Sequence, residues 1–288
     1  MIELGVGADL LRGVGVIVWI VFGAALLLAL IKPKAIASKV LWSLLVIALF
    51  FGPMIPHAYE NYVFKQRYVK AKALFDERCK TAGEKIYRTV EGVEGVLVMK
   101  ARPKKINLSD QYALDDPYGH DFGGEEYISS FLWGRNSNGT FTQNHTLNTY
   151  KFVELENAVQ KKISRYKATQ MSSPAGNPYL KLDVQATGVR SAKYGVDWAD
   201  SSTKEDRDQW IAGSSLKIID LNTGEVIAER IGFMFDRALG DQSGGRSPWT
   251  YAEYQACPAF DKSTAGYPIK STRTREFIYK VLKPKQGE

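Results

Sequence analysis

Two long stretches without charged residues lie near the start of the chain, and polar residues become frequent only after them. The first stretch runs from Gly13 to Ile31 and the second from Val40 to Tyr59. A helix needs about 20 apolar residues to cross the hydrocarbon core of a bilayer. The pattern therefore predicts transmembrane helices over residues 13–31 and 40–58, joined by a turn over residues 32–39. A cleavable signal peptide is the alternative for the first stretch, although its apolar region would be only about 7–15 residues long.

Charged residues beside the two stretches predict their orientation. The turn contains Lys32, Lys34 and Lys39 and no acidic residue. Because short loops rich in lysine stay in the cytoplasm, we expect a cytoplasmic turn, with the tail of residues 1–12 and the C-terminus outside. Further basic residues follow the second stretch, namely Lys65, Arg67, Lys70 and Lys72. They favour the opposite orientation, but long domains translocate largely regardless of charge.

The periodicity of the remaining chain predicts an α+β domain. Helical spacing over residues 59–84 predicts a long membrane-proximal helix that continues the second span. Alternating or β-rich runs then predict strands at 86–90, 93–101, 127–133, 150–155, 179–189 and 276–282, with a short helix at 157–166. The runs at 86–90 and 93–101 are expected to form a hairpin around Glu91 and Gly92, and the stretches 108–124 and 239–248 are expected to be long loops.

The clearest local signal is the segment 214–235, in which LKIIDL and EVIAERIGFMF are joined by Asn222-Thr223-Gly224. Glycine at the end of such a short connection is typical of a hairpin turn. We therefore expect residues 85–288 to form one mostly antiparallel β-sheet domain that packs on the long membrane-proximal helix.

The chain contains only two cysteines, Cys79 and Cys257, at opposite ends of the large domain. Their positions match neither a metal-binding spacing nor a redox motif. An even pair that frames a domain predicts one structural disulfide, and a disulfide requires an oxidising compartment. In a bacterium this compartment is the periplasm, so the pair supports an inner-membrane protein with an exported domain. The alternative is two unrelated buried thiols.

Composition and charge narrow the function classes. The net charge is +7, and no basic run is interleaved with aromatic residues, so nucleic acid is not expected as a partner. The basic residues near the membrane favour anionic lipid head groups. The sequence lacks the glycine-flanked serine of hydrolases, the phosphate loop and the zinc-binding HExxH motif, and it indicates no cofactor.

One acidic segment could carry chemistry. The metal-ligand candidates, all between residues 110 and 126, are Asp115, Asp116, His120, Asp121 and Glu125. Carboxylates bind calcium, and a histidine among them can bind zinc or manganese. An acid/base pair for glycan cleavage is a second interpretation of the same segment, and a solvated turn is a third.

Aromatic residues near arginines form a second candidate site, a partner-binding surface. Its members are Trp198, Trp210, Arg237, Arg246, Trp249 and Tyr251, with Arg230 close by in sequence. Arginine and tryptophan are frequent at the centres of protein interfaces. The alternative is that these aromatic side chains fill the core of the sheet.

The leading hypothesis is an inner-membrane-anchored periplasmic binding module that captures or neutralises a protein, either as an immunity protein or as an envelope-assembly accessory. An envelope hydrolase that uses the 110–126 segment, possibly with a metal, is the first alternative. A sensor subunit is the second, although a turn of eight residues has no room for an output domain, so signalling would need a partner membrane protein.

Overall fold

The computed structural model describes residues 5–135, 141–142, 149–156, 162–174, 176, 178–270 and 273–285. The chain forms two units, Met1–Arg67 and Tyr68–Glu288. The helices are α1 Gly5–Ile31, α2 Ile36–Phe51, α3 Met54–Cys79, α4 Glu125–Ser130, α5 Lys204–Asp208, α6 Pro248–Ala252 and α7 Arg273–Val281, with a 3₁₀ turn at Ser243–Gly245.

The strands are β1 Gly83–Ile86, β2 Val90–Val93, β3 Gly95–Val98, β4 Gly134–Arg135, β5 Phe141–Thr142, β6 Phe152–Glu156, β7 Ile163–Ser172, β8 Pro178–Thr187, β9 Tyr194–Asp200, β10 Ile211–Asp220, β11 Val226–Phe235, β12 Ala256–Cys257, β13 Asp261–Lys262, β14 Pro268–Ile269 and β15 Leu282–Pro284.

Among the described residues of the first unit, one helix is long and apolar enough to span a membrane. This stretch is Gly13–Ile31 in α1, and its side chains are almost entirely exposed. The second predicted span is broken, because α2 ends at Phe51 and α3 begins at Met54 with a bend of 54° between them. Gly52 and Pro53 occupy the break, and proline cannot supply the N–H that a continuous helix requires.

The expected two-pass hairpin is therefore not confirmed. Ring contacts do join α1 to α2, since Phe22 meets Phe50 at 5.2 Å and Phe51 at 5.4 Å between ring centroids. The α2 helix has 16 residues, which at 1.5 Å per residue is shorter than a bilayer core of about 30 Å.

A nine-stranded sheet organises the second unit, in the order β1-β11-β10-β9-β3-β6-β7-β8, with β12 also pairing with β11. Most neighbours are antiparallel, but β3 lies parallel to both β6 and β9. The sheet confirms a mixed α+β fold with a mostly antiparallel sheet. The predicted hairpin of residues 214–235 is present as β10 and β11, with Gly224 in the left-handed region at φ +77°.

Two apolar clusters fill the unit. One joins the middle of the sheet to α4 and α7, and it includes Val96, Val153 and Phe277. The other joins the C-terminal half of α3 to β10, β11 and α6, and Phe75 of α3 stacks on Phe235 of β11 at 5.6 Å. The long helix thus packs on the sheet domain as expected, through residues that follow the unit boundary.

Several predicted strands are wrong. Residues 127–133 belong mostly to α4, and residues 276–282 belong mostly to α7. Short apolar runs of this kind have no periodicity that distinguishes a strand from a helix turn. The runs at 86–90 and 93–101 do not form a hairpin, since β2 pairs with β15 and β3 pairs with β6 and β9.

The helix expected at residues 157–166 is also wrong for those of its residues that the structure describes. Residues 163–166 lie in strand β7, and residues 157–161 lie outside the described part of the chain. The membrane-proximal helix ends at Cys79, and β1 begins at Gly83, so the predicted helix boundary at residue 84 is too late.

Candidate functional site

A disulfide joins Cys79, the last residue of α3, to Cys257 in β12, with a Cα–Cα distance of 5.6 Å. This confirms the predicted pair. Strand β12 is hydrogen-bonded to β11, so the bond ties the end of the long helix to the edge of the sheet across 178 residues of sequence. By the chain-entropy model, closing so long a loop in the unfolded chain contributes about 5 kcal/mol at most.

The acidic segment does not assemble as a metal site. Asp115 and Glu125 are exposed, Asp121 is half-buried, and Asp116 and His120 are buried. Within the described ranges, no group of three or more His, Cys, Asp or Glu side chains is placed to hold a metal ion. Instead, the side chains of Asp116 and His120 lie in the interior of the domain, close to positively charged side chains.

Asp116 is paired with an arginine in the protein interior. Its carboxylate accepts from Arg102 Nη2 at 2.9 Å, and neither side chain has any exposed surface. The N–H of Gly119 also donates to Asp116, at 3.0 Å, and the Ser214 hydroxyl hydrogen-bonds to it. Burial raises the pKa of Asp116, while the charge of Arg102 and the hydrogen bonds act against this.

Three almost fully buried arginines approach this loop from separate elements: Arg102 from the segment after β3, Arg230 from β11 and Arg275 from α7. Each guanidinium lies over aromatic rings. Arg102 is 4.4 Å from the Trp198 ring centroid, and Arg275 is 4.4 Å from that of Trp133. Burial lowers the pKa of Arg230, and it lowers that of Arg275 to about 10, so Arg275 remains protonated at neutral pH.

His120 lies in the same region and is buried. Burial first, and then the positive charges of Arg102 and Lys270, lower the pKa of His120 to about 3. The imidazole is therefore neutral over the physiological pH range. Tyr127, in α4, completes the group, with its ring centroid 5.2 Å from the Arg102 guanidinium and with burial raising its pKa to about 12.

We call Arg102, Asp116, His120, Tyr127 and Arg230 the Asp116 cluster. No family model matches the chain, and no curated protein or solved structure matches it. The Asp116 cluster holds strong cationic donors in an environment shielded from water. This suits the binding of an anion more than acid–base catalysis, because its histidine is neutral and its carboxylate is ion-paired.

The predicted aromatic surface does not form as expected. Trp198, Trp210 and Trp249 are buried in the two core clusters, and the Nε1 of Trp249 donates to the Asp110 carbonyl at 2.9 Å. The core interpretation is thus correct for the three tryptophans. Arg230 is buried as well, and so it lies on no surface.

Only part of the predicted surface is accessible. Arg237 and Tyr251 are exposed, and Arg246 is half-buried. The guanidinium of Arg246 is ion-paired with Asp236 and lies 4.6 Å from the Tyr251 ring centroid. Because Arg246 already has a buried carboxylate partner, it is held in place by the fold and does not project freely towards a partner.

Strand β8 forms an edge of the main sheet and was not recognised as a site in the sequence. It pairs with β7 along all 10 of its residues, and within the described residues no strand pairs with its other side. Leu180 and Leu182 pack against the core, but Val184, in the same row of side chains, is 57% exposed. The alternation in the sequence predicted the strand, whereas its edge position depends on long-range pairing.

Proposed function

We propose that this chain is a membrane-anchored binding module of the bacterial inner membrane, whose sheet domain lies in the periplasm and captures a protein partner. Two features support this location. The N-terminal helix is apolar enough to span a membrane, and the domain contains a disulfide, which persists in oxidising compartments. The lysines of the 32–39 turn favour a second crossing and periplasmic termini.

The observation that carries the binding function is the edge of β8, which pairs with no other strand on its outer side in the part of the chain that the structure describes. An unpaired strand edge presents backbone N–H and C=O groups that can add a strand from another protein. Ten residues are enough to pair with a complete partner strand. The exposed side chain of Val184 would give such a strand an apolar contact beside the backbone hydrogen bonds.

Charges on β8 restrict which strand can be added. Lys181 and Asp183 alternate with Leu180 and Leu182, and both charged residues are exposed. Lysine on an edge strand opposes indiscriminate pairing. The partner therefore presents an extended segment with an acidic residue opposite Lys181 and an apolar residue near Val184. A secreted toxin that the module neutralises and a component of an envelope assembly both fit this description.

Site-specific photocrosslinking in living cells tests the proposal. A photoreactive residue replaces Val184 in one variant and Val189, which follows the strand and is 76% exposed, in the control. We expect a discrete protein adduct at position 184 and none at 189. Equal adducts at both positions, or none at 184, would contradict partner binding at β8.

A second experiment tests the compartment separately. Intact cells are treated with a membrane-impermeant thiol reagent after mild reduction, and a permeant reagent is used on a parallel sample. Periplasmic Cys79 and Cys257 should react with both reagents, and they should be oxidised before reduction. Reaction with the permeant reagent alone would place the domain in the cytoplasm.

A further inference from the structure

The edge strand β8 carries a charge pattern that is complementary to itself. Its middle residues are Leu180, Lys181, Leu182, Asp183 and Val184. The base and the acid lie one residue to either side of Leu182, and both of their side chains are exposed. If two copies of β8 run antiparallel with Leu182 opposite Leu182, each Lys181 lies opposite Asp183 of the other copy, and opposite charges in such positions attract.

The apolar side chains of β8 match in the same register. Because side chains alternate along a strand, residues 180, 182 and 184 lie on one face of the sheet. Leu180 and Leu182 pack against the core on this face, whereas Val184 is 57% exposed. In the register centred on Leu182, Val184 of each copy lies opposite Leu180 of the other. A second copy would thus cover the apolar side chain that β8 leaves exposed.

Neighbouring registers of the same pair are less favourable. A pair centred on Lys181 or on Asp183 would place two like charges directly opposite each other. A slip of one residue in the pairing would bring apolar residues of one copy onto the polar face of the other. Of these neighbouring registers, only the one centred on Leu182 matches on both faces of the sheet.

The outer edge of β8 is available for this pairing. Strand β8 pairs with β7 over ten consecutive residues with no register shift, and no strand pairs with its outer side in the described ranges. Lys181 has no ion-pair partner among the described residues. The Thr169 hydroxyl donates to Oδ2 of Asp183 at 2.8 Å, so the second carboxylate oxygen remains available to a lysine of another copy.

We propose that β8 pairs antiparallel with β8 of a second copy of this chain, with the pair centred on Leu182. Two Lys181–Asp183 ion pairs join the copies on one face of the sheet, and the Leu180, Leu182 and Val184 side chains meet on the other. The inference rests on the proposed function, in which β8 adds a strand from another protein, and it identifies that strand. Self-pairing also covers an edge that could otherwise recruit unrelated strands.

Charge reversal tests the pairing in the full-length chain, purified in detergent and studied by sedimentation equilibrium. We expect the wild type to be a dimer. Lys181→Asp places two acids opposite each other at both symmetric positions, so it should raise the Kd of the dimer about 10- to 100-fold, and Asp183→Lys should do the same. The double variant, Lys181→Asp with Asp183→Lys, should restore the wild-type Kd. An equal mixture of the two single variants should form a heterodimer, because opposite charges then face each other again.

The control is Lys85→Asp, which reverses an exposed lysine on β1, the opposite edge strand of the sheet. It should leave the Kd unchanged. A monomeric wild type, or a dimer whose Kd does not respond to reversal at positions 181 and 183, would overturn the inference. Failure of the double variant to restore the dimer would overturn it as well, whereas its success cannot arise from a folding defect in the single variants.

A cysteine at the centre of the pair tests the register. In an antiparallel pair, the Cα atoms of opposite residues are about 4.5–5.5 Å apart, which is within the reach of a disulfide. Mild oxidation of Leu182→Cys should therefore link two copies. Leu180→Cys should not form this link, because its counterpart lies opposite residue 184. A link in the Leu180 variant, or none in the Leu182 variant, would overturn the register centred on Leu182.

The photocrosslinking experiment at position 184 separates this inference from the proposed function. An adduct with the mass of two chains supports both. An adduct with a different protein, together with a monomeric wild type, would support strand addition at β8 but would overturn the second copy as the partner. The absence of any adduct at position 184 would contradict both.

Discussion

Two buried polar regions of the same sheet domain differ in how well their hydrogen bonds are satisfied. Around β6, the Glu154 carboxylate accepts from Arg165, from the Ser191 N–H and from the Ala192 N–H. The Tyr150 hydroxyl nearby donates to the Leu282 carbonyl at 2.5 Å. In the Asp116 cluster, by contrast, a tyrosine hydroxyl, a histidine and two arginines have donor atoms without acceptors within the described residues.

The difference separates buried groups whose hydrogen bonds are satisfied inside the fold from groups that are only partly satisfied. A saturated carboxylate such as Glu154 fixes the register of β6, β7 and the segment before β9, because each bond joins a different part of the chain. A buried polar group without a partner costs stability, so removing it costs less than removing a saturated one. Changes in the β6 region should therefore reduce stability more than changes at the unsatisfied groups of the Asp116 cluster.

The largest expected effect is in the β6 region. Glu154→Gln replaces a buried carboxylate with an amide that cannot accept from all of its donors, so we expect a loss of about 3 kcal/mol in the free energy of unfolding, measured by denaturant titration. Glu94→Gln is the control, because Glu94 and Lys151 form an exposed pair, and it should leave stability almost unchanged. Equal losses in both variants would contradict the assigned role of Glu154.

A smaller effect concerns pH. The folded chain holds His120 neutral, with a pKa of about 3, whereas an unfolded histidine has a pKa of about 6.5. The unfolded state therefore binds one more proton between these values. The contribution of His120 to the free energy of unfolding has its full value above about pH 6.5. As the pH falls below this value, the contribution decreases by about 1.4 kcal/mol per pH unit. His120→Phe should remove this slope between pH 6.5 and 5. Parallel pH curves for the wild type and the variant would show that His120 is not desolvated.

The smallest effect compares two buried tyrosines. Tyr150→Phe removes a hydroxyl that donates to Leu282, and it should cost about 1 kcal/mol. Tyr127→Phe removes a hydroxyl that lies beside the Arg102 guanidinium and donates to no acceptor within the described residues, so it should cost less than Tyr150→Phe. If both variants lose the same free energy, the two regions do not differ as described here.

Local patterns predicted the parts of the fold that depend on neighbours in sequence. The hairpin of β10 and β11, the long helix that ends at Cys79 and the apolar N-terminal helix are of this kind. The cysteine pair could also be predicted, because the chain offers only one possible pairing. Pairing of β3 with β6 and β9 could not, since parallel neighbours are joined by no turn signal.

The sequence drew attention to the candidate site only in part. The acidic segment indicated Asp116 and His120, with a metal site, an acid/base pair and a solvated turn as its three interpretations. The arginines that surround them are brought in by folding: Arg102 lies 14 residues before Asp116, and Arg230 and Arg275 lie on other elements. No spacing in the sequence indicates that these cations converge.

Denaturant titration of the wild type, Glu154→Gln and His120→Phe at pH 7 tests most directly whether the two buried regions differ as described. We expect a large loss of unfolding free energy in Glu154→Gln, whose carboxylate is saturated, and a much smaller change in His120→Phe, whose ring nitrogens have no partner within the described residues. Equal losses in the two variants would contradict this difference.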